Sequence, residues 1–496
     1  MRFLKYNVLC VAMTLFFSGC DDFLGDNIDP NKSSLDQLSP AELLPTSIYS
    51  TSQAHYSIAF GICQYSQQIA SYFNPGNDTQ EEIQLSSGWS TIYLGSFADL
   101  RSLNILAERD NSTYYSGIAK ILQATNLGLA TDQWGDIPSS EATMGEVDFT
   151  PSYDSQESIY DQINTLLDDA IALLSGQDAS GLTVGEDDLI YGGDINKWIR
   201  AAYALKARYA IHLTEIDQNQ AVADALENVA NALQSNADDY QLMYNTRIFN
   251  PWHSGVALAN NTGNLSVLLS DQLVSLMDGT SFPFNAITLD PRLELISSIN
   301  EATETVYTGA VNGTGGSAAD GTSATADFGV EDFYSSQTAP IVMLSYAELK
   351  FIEAEALFLQ NGGTTTSVGT TAAAYNAYLE GITANMDKIG VAPADRDAYL
   401  TDASVAVGEG NLTLALIMRE KYIATFLNPE SFVDLRRYDF DPDVFAGLEL
   451  PADHNEDLNG EWVRRAQYPA SEQTRNGEEV EKVMQEINVG VWWDND

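Results

Sequence analysis

The chain is poor in positive charge. Its 496 residues hold 23 lysines and arginines against 70 aspartates and glutamates, a formal net charge of −47. Nucleic-acid binding needs a basic patch that releases counterions from phosphate, so this balance excludes that class. Electrostatic docking on anionic lipid is excluded on the same ground. Histidine is scarce as well. His55, His212, His253 and His454 stand apart, with no His-Glu-x-x-His and no Cys/His metal spacing. There is no Gly-x-Ser-x-Gly elbow for a nucleophile, and no Gly-x-Gly-x-x-Gly or phosphate loop. No apolar run is long enough to span a bilayer. Cysteine is limited to Cys10, Cys20 and Cys63. Against these absences stand 44% hydrophobic and 10% aromatic residues. That is ample for a sizeable core and too much for a disordered chain.

The first twenty residues read as a bacterial lipoprotein signal. Arg2 and Lys5 form a basic start, and Val8 to Phe17 is an apolar run of about ten residues. Phe17-Ser18-Gly19-Cys20 follows, small residues before a cysteine that takes lipid. Residues 1–19 are thus expected to be removed and Cys20 lipidated. The protein would be exported and held at a membrane by acyl chains rather than by a helix. Cys10 leaves with the signal, so Cys63 has no intramolecular disulfide partner and reads as a small buried hydrophobe.

The remaining chain reads as one domain, 41–496, behind a polar, acidic and turn-rich tether at 20–40. Residues 41–245 are expected to be mostly helical. Ile159, Ile163, Leu166, Leu167, Ala170 and Leu174 follow helical spacing, with Asp154 or Ser155 as cap. Ile195, Trp198, Ile199, Ala202, Leu205, Tyr209 and Leu213 make a longer face, and Gly117–Trp134 and Val222–Leu233 show weaker versions. Residues 246–340 turn rich in Gly, Asn, Ser and Thr, and 308–330 carries almost no pattern. This stretch reads as long loops, functional or mobile, with short strands. Helix returns over 341–440. Leu344, Ala347, Phe351, Ala354 and Phe358 make one stripe, and Leu349, Ile352, Ala356 and Leu359 a second. Two stripes mark a helix buried between neighbours. The fold class is mainly α, with helix pairs stacked in a tetratricopeptide-like way but without a regular period.

Several stretches, in this order, resemble the SusD/RagB family of nutrient-binding outer-membrane lipoproteins of Bacteroidota. They are Cys20-Asp21-Asp22-Phe23-Leu24 with Asp29-Pro30-Asn31, Trp134-Gly135-Asp136-Ile137-Pro138 with Ser140-Glu141-Ala142, and Trp198 to Leu213. Asp290-Pro291-Arg292-Leu293, Leu344 to Glu355, Glu420 to Ala424, Asp434-Leu435-Arg436-Arg437 and the closing Arg464-Arg465, Tyr468-Pro469, Glu472 and Asn476 continue the series. The resemblance implies a right-handed superhelix of tetratricopeptide-like helix pairs with an irregular ligand-binding half. It implies a SusC-like TonB-dependent transporter as partner, a lid-like role on that barrel, and ligands that are mostly oligosaccharides, with peptides in some branches. It implies no cofactor.

Most motif residues read as structural. Glu353, Glu355, Glu420, Arg436 and Arg437 lie in apolar helices, where buried charge needs a partner, so Arg–carboxylate locks are expected. Asp439-x-Asp441-x-Asp443 imitates a calcium loop, but Val444 and Leu450 stand where glycine and glutamate are needed. An EF-hand is rejected, leaving only an adventitious calcium site. A glycan site needs aromatic faces and planar amides or carboxylates outside the periodic helices. The candidates are Tyr72, Asn77 and Asp78 with Phe73, Asn74 and Trp89, then Trp252 and Asn260 with His253 and Asn261, then Tyr334 with Tyr307 and Phe333. The favoured reading is a surface lipoprotein that captures a glycan and performs no chemistry. The alternatives are a peptide-binding lipoprotein of the same system and a surface glycoside hydrolase. The last would need two carboxylates placed across a sugar, and no local signature marks such a pair.

Overall fold

The computed structural model describes residues 35–81, 83, 85–143, 149–299, 306–322 and 325–494. The chain divides into a unit Met1–Ser39 and a unit Pro40–Asp496. In the first, a 3-10 turn at Leu35–Gln37 is described. The signal segment, Cys20 and most of the 20–40 tether lie outside the described residues.

The second unit is built on ten principal helices. These are α1 (Pro40–Tyr65), α2 (Phe97–Arg109), α3 (Thr113–Trp134), α4 (Gln156–Ser175) and α5 (Ile195–His212). They continue with α6 (Thr214–Val229, kinked at Asp217), α7 (Tyr346–Gln360), α8 (Ala372–Ile389), α9 (Leu414–Ala424) and α10 (Glu430–Arg437). Consecutive helices pair as α3/α4, α5/α6 and α7/α8, and the pairs stack in series through α4 on α5 and α6 on α7. This is the expected tetratricopeptide-like arrangement.

Local chemistry explains the helices. Ser155 caps α4 by accepting the Ser158 N–H, and the six apolar residues spaced for a helix are all buried. They face α3, where Gly117 lets Leu174 in; a Cβ there would sit 2.6 Å from Leu174 Cγ. Both stripes of α7 are buried, as its two apolar faces require. Cys63 is a buried free thiol of α1.

The irregular half is less loop-like than its composition suggests. Three antiparallel pairs tie it together: β1 (Ile69–Ser71) with β3 (Val267–Leu269), β2 (Tyr240–Met243) with β6 (Pro340–Leu344), and β4 (Ser298–Ile299) with β5 (Ala326–Asp327). Short helices at Leu258–Asn261, Asp271–Met277 and Leu293–Ile296 lie between them. The Gly-rich loop is packed: Ala310 is fully buried and bridges Ser270 and Ala318. Several of its glycines allow close approach. A Cβ on Gly313 would fall 1.6 Å from the Ala452 carbonyl oxygen.

Several of the family-like motifs supply buried ion-pair clusters. Arg208 of α5 grips Glu348 of α7 through two 2.7 Å bonds and reaches Glu430 of α10. Arg292 pairs with Asp290 at 2.6 Å and Glu420 at 2.7 Å. Glu355 receives Arg437 and Lys421, and both cations also hold Asp434 at 2.8 Å. Two expectations need correction. Glu353 is half-buried and pairs with Lys350 one turn away, because it faces the solvent side of α7. Arg436 takes no carboxylate directly. It donates to the carbonyls of Arg464 and Phe432 and lies over the rings of Phe432 and Trp493.

Candidate functional site

Helix α1 is buried along its last turns except at Tyr56, Ser57 and Phe60, which face outward. Opposite them lie Asn77, Ile83, Leu85, Ser86 and Ser87. Between the two lies an open cleft of about 580 Å3, lined by Tyr56, Ser57, Phe60, Asn77, Ser86 and Ser87 among others. Burial pushes the Tyr56 phenol up to about 12, so it is a neutral hydroxyl at any physiological pH. Among the described residues the lining offers two rings, hydroxyls and an amide, with no charged side chain.

The loop after β1 supplies the exposed rings. Tyr72 is 41% exposed and Phe73 59%, meeting edge to face at 5.9 Å. The loop is held from several sides. The Asn74–Pro75 peptide is cis, and Asn74 donates to Asp453 at 2.8 Å. Gly316 of the Gly-rich loop lies against the Tyr72 ring, where a Cβ would fall 2.7 Å from it. Asp78 is the clamp beneath. Its buried carboxylate accepts from the backbone N–H groups of Ser71 and Gly313 and from the Asn312 amide, and burial raises its pKa.

Of the residues singled out in sequence, Tyr72 and Asn77 are therefore solvent-facing on one loop, and Asp78 supports that loop from inside. Phe73 and Asn74 share that loop, Asn261 is exposed, Tyr307 and Phe333 are half-buried, and Trp89, Trp252, His253, Asn260 and Tyr334 are buried. Trp252, 2% exposed, meets Tyr56 edge-on at 5.0 Å and Phe60 at 6.0 Å, and stacks on Phe328 at 5.8 Å. It backs the two rings of the cleft and presents no free face. Phe328 in turn stacks on Phe426, which Tyr334 meets at 5.4 Å. Asn260 donates to the Val267 carbonyl and to Asp327, and accepts from Ser266 N–H. Trp89 lies apart, packed with Tyr93, Trp134, Tyr153 and Tyr468. It pins the C-terminal segment to the helices. These rings are hidden because an irregular half without long helices must still build a core, and aromatics fill it.

Asp327 gives a pH signature under this half. Burial raises its carboxyl to about 6, from 3.8, despite the Asn260 and Phe328 donors. A raised carboxyl favours folding while protonated, so its contribution is fullest below pH 3.8 and is lost as pH rises through 6. Asp327→Asn should raise the melting temperature at pH 8 relative to wild type and lose that advantage at pH 4. An equal shift at both pH values would contradict this reading.

Sequence reasoning missed Tyr56, Ser57 and Phe60. A signal was available: no Asp, Glu, Lys or Arg occurs from Leu43 to Asn77, in a chain where 19% of residues are charged. That run contains nearly all of α1 and the Tyr72–Phe73 loop. Among the described residues no group of three or more His, Cys, Asp or Glu is arranged to hold a metal ion. Asp439 of the calcium-like motif instead pairs with Arg464. Among the described residues no helix is long and apolar enough to cross a membrane.

A family model described as SusD-like, starch-binding and associating with the outer membrane, matches residues 30–469. The chain belongs to the SusD-like family. Solved structures agree on the fold. A chitin-binding protein is 21% identical with a TM-score of 0.74, covering 92% of this chain and 100% of its own. A SusD/RagB family protein from Bacteroides thetaiotaomicron is 23% identical with a TM-score of 0.72, over 92% and 99%. A chitin-binding SusD homologue from Flavobacterium johnsoniae is 20% identical with a TM-score of 0.70, over 91% and 99%. No curated protein sequence matches the chain significantly. Five of the SusD-like motif segments (198–213, 290–293, 344–355, 420–424 and 434–437) supply the buried ion pairs, whereas Tyr56, Phe60, Tyr72 and Phe73 lie outside the motif segments.

Proposed function

We propose that this SusD-like protein is a surface lipoprotein that captures a neutral glycan in the α1 cleft and hands it to a TonB-dependent outer-membrane transporter. Cys20 would carry the lipid and residues 20–40 the tether. The carrying observation is the cleft of rings, hydroxyls and an amide, whose lining residue Asn77 ends the loop that carries the exposed, uncharged Tyr72–Phe73 pair. Such faces stack on sugar C–H surfaces and bond hydroxyls without asking for ionic complementarity. The protein binds and performs no chemistry. The chitin- and starch-binding descriptions of similar proteins point to the same ligand class. A neutral cleft gives a basic peptide little to grip, which sets the peptide reading second.

The test is calorimetric titration of soluble chito- and malto-oligosaccharides at low and high salt. Binding of one series should be saturable and nearly salt-independent. The paired change Tyr72→Ala with Phe73→Ala should weaken it at least tenfold while leaving the melting temperature within a few degrees, because both rings are exposed. Unchanged affinity would remove this loop from the site. Salt-sensitive binding of Lys/Arg-rich peptides, with both oligosaccharide series silent, would replace the glycan reading with the peptide one.

A further inference from the structure

The outward face of α1 continues past the cleft. Between Tyr49 and Tyr65 the residues that are not buried are Tyr49, Gln53, Tyr56, Ser57 and Phe60. Spacings of three and four place them on one face as a single stripe. At 1.5 Å per residue Tyr49 stands about 16 Å from Phe60 along the helix. Every other residue from Tyr49 to Tyr65 is covered by protein, so the stripe is the opening of this stretch to solvent; before it, Glu42 and Thr46 of the first turns are exposed as well.

The far end of the stripe is built, not incidental. Tyr49 is 36% exposed and rests edge-on against Tyr244, with ring centroids 6.3 Å apart. The buried Tyr244 hydroxyl accepts the Gln53 amide at 2.7 Å and shares a hydrogen bond with Ser52 at 2.7 Å. Ring and amide are thus held in place before any ligand arrives, which lowers the ordering cost of binding. The order along the stripe is ring, amide, ring, hydroxyl, ring, with no charge. A protein partner would be expected to meet a polar, partly charged rim. A neutral polyol needs none.

We propose that this stripe is a track for an extended neutral polysaccharide chain, with Tyr49 and Gln53 forming a second subsite beyond the Tyr56–Phe60 cleft. The inference rests on the glycan reading of that cleft and adds the ligand's shape: a polymer chain of several sugar units in extended form, not a mono- or disaccharide. A chain long enough to reach both subsites gains affinity over a short one, since the second contact is made by an already bound ligand.

Titration of the purified protein with chito- and malto-oligosaccharides from disaccharide to octasaccharide tests this. Affinity should climb with length and then level off. Tyr49→Ala should cut the affinity for the longest member roughly tenfold and leave that for the shortest bound member unchanged. Tyr49→Phe, which keeps the ring, should retain the length gain. Tyr56→Ala should weaken short and long members alike. Unaltered long-chain affinity in Tyr49→Ala, or an equal loss at all lengths, would overturn the second subsite while leaving the cleft reading intact. Wild-type protein that binds no member of either series would overturn both.

Discussion

Arg437→Met lowers the stability of the folded chain by about 3–5 kcal/mol, the range for removing one partner of a buried ion pair. Arg437 is fully buried and bonds Glu355, Asp434 and the Thr214 hydroxyl. Methionine fills much of the volume but leaves two buried carboxylates sharing the Lys421 cation, with the Tyr438 hydroxyl still donating to Glu355. Acid should remove the same pairing from wild type. Burial opposes the Glu355 charge, but Arg437 and Lys421 outweigh it and hold the carboxyl down to about 2, from 4.5. A depressed carboxyl stabilises the fold above pH 4.5, and that contribution is lost as pH falls through 2. The shift is worth roughly 3 kcal/mol. In Arg437→Met the carboxyl rises, so acid unfolding should begin at higher pH. Urea titrations from pH 3 to pH 7, in wild type and variant, would measure both effects. A variant with unchanged midpoints at pH 7 would show that Lys421 suffices and would sink the account.

Helical spacing was the most legible feature. The stripe from Ile159 to Leu174 is buried as read and Ser155 caps where expected; of the stripe from Ile195 to Leu213, Trp198, Ala202, Leu205 and Tyr209 are buried and Ile195, Ile199 and Leu213 half-buried. The presence of buried Arg–carboxylate locks was legible from charged residues inside apolar helices. Their partners were not, since Arg208 and Glu348 are 140 positions apart. Helix α1 was hidden for a different reason. It is buried on nearly every side and rich in Ser, Thr and Gln, so it shows no polar-apolar alternation to detect. The aromatic candidates misled because position outside a periodic helix was taken to mean exposure. Trp252 and Tyr334 instead fill the core of the irregular half, and Trp89 is buried between the helices and the C-terminal segment. Only the loop rings escaped this, because Tyr72 and Phe73 sit on a turn with no layer above them.

Trp252→Ala should cost about 3–5 kcal/mol, the usual range for truncating a buried aromatic. It should also weaken glycan binding. The indole stacks flat on Phe328, with 10° between the rings, and supports Tyr56 and Phe60 from beneath. Its removal opens a cavity behind the two cleft rings, which then lose the packing that fixes their orientation. The effect on binding is therefore indirect, and a conservative change separates it from loss of a contact. Trp252→Phe keeps a flat ring against Phe328 and should recover most of the stability and most of the affinity. If the indole touched ligand, Phe would recover stability but not affinity. Denaturant midpoints paired with calorimetric titration of the same oligosaccharide distinguish the two. An alanine variant as stable as wild type would contradict the buried placement outright. One that is destabilised but binds normally would show that Tyr56 and Phe60 hold their positions without the indole, leaving the α1 helix itself as the element that presents them.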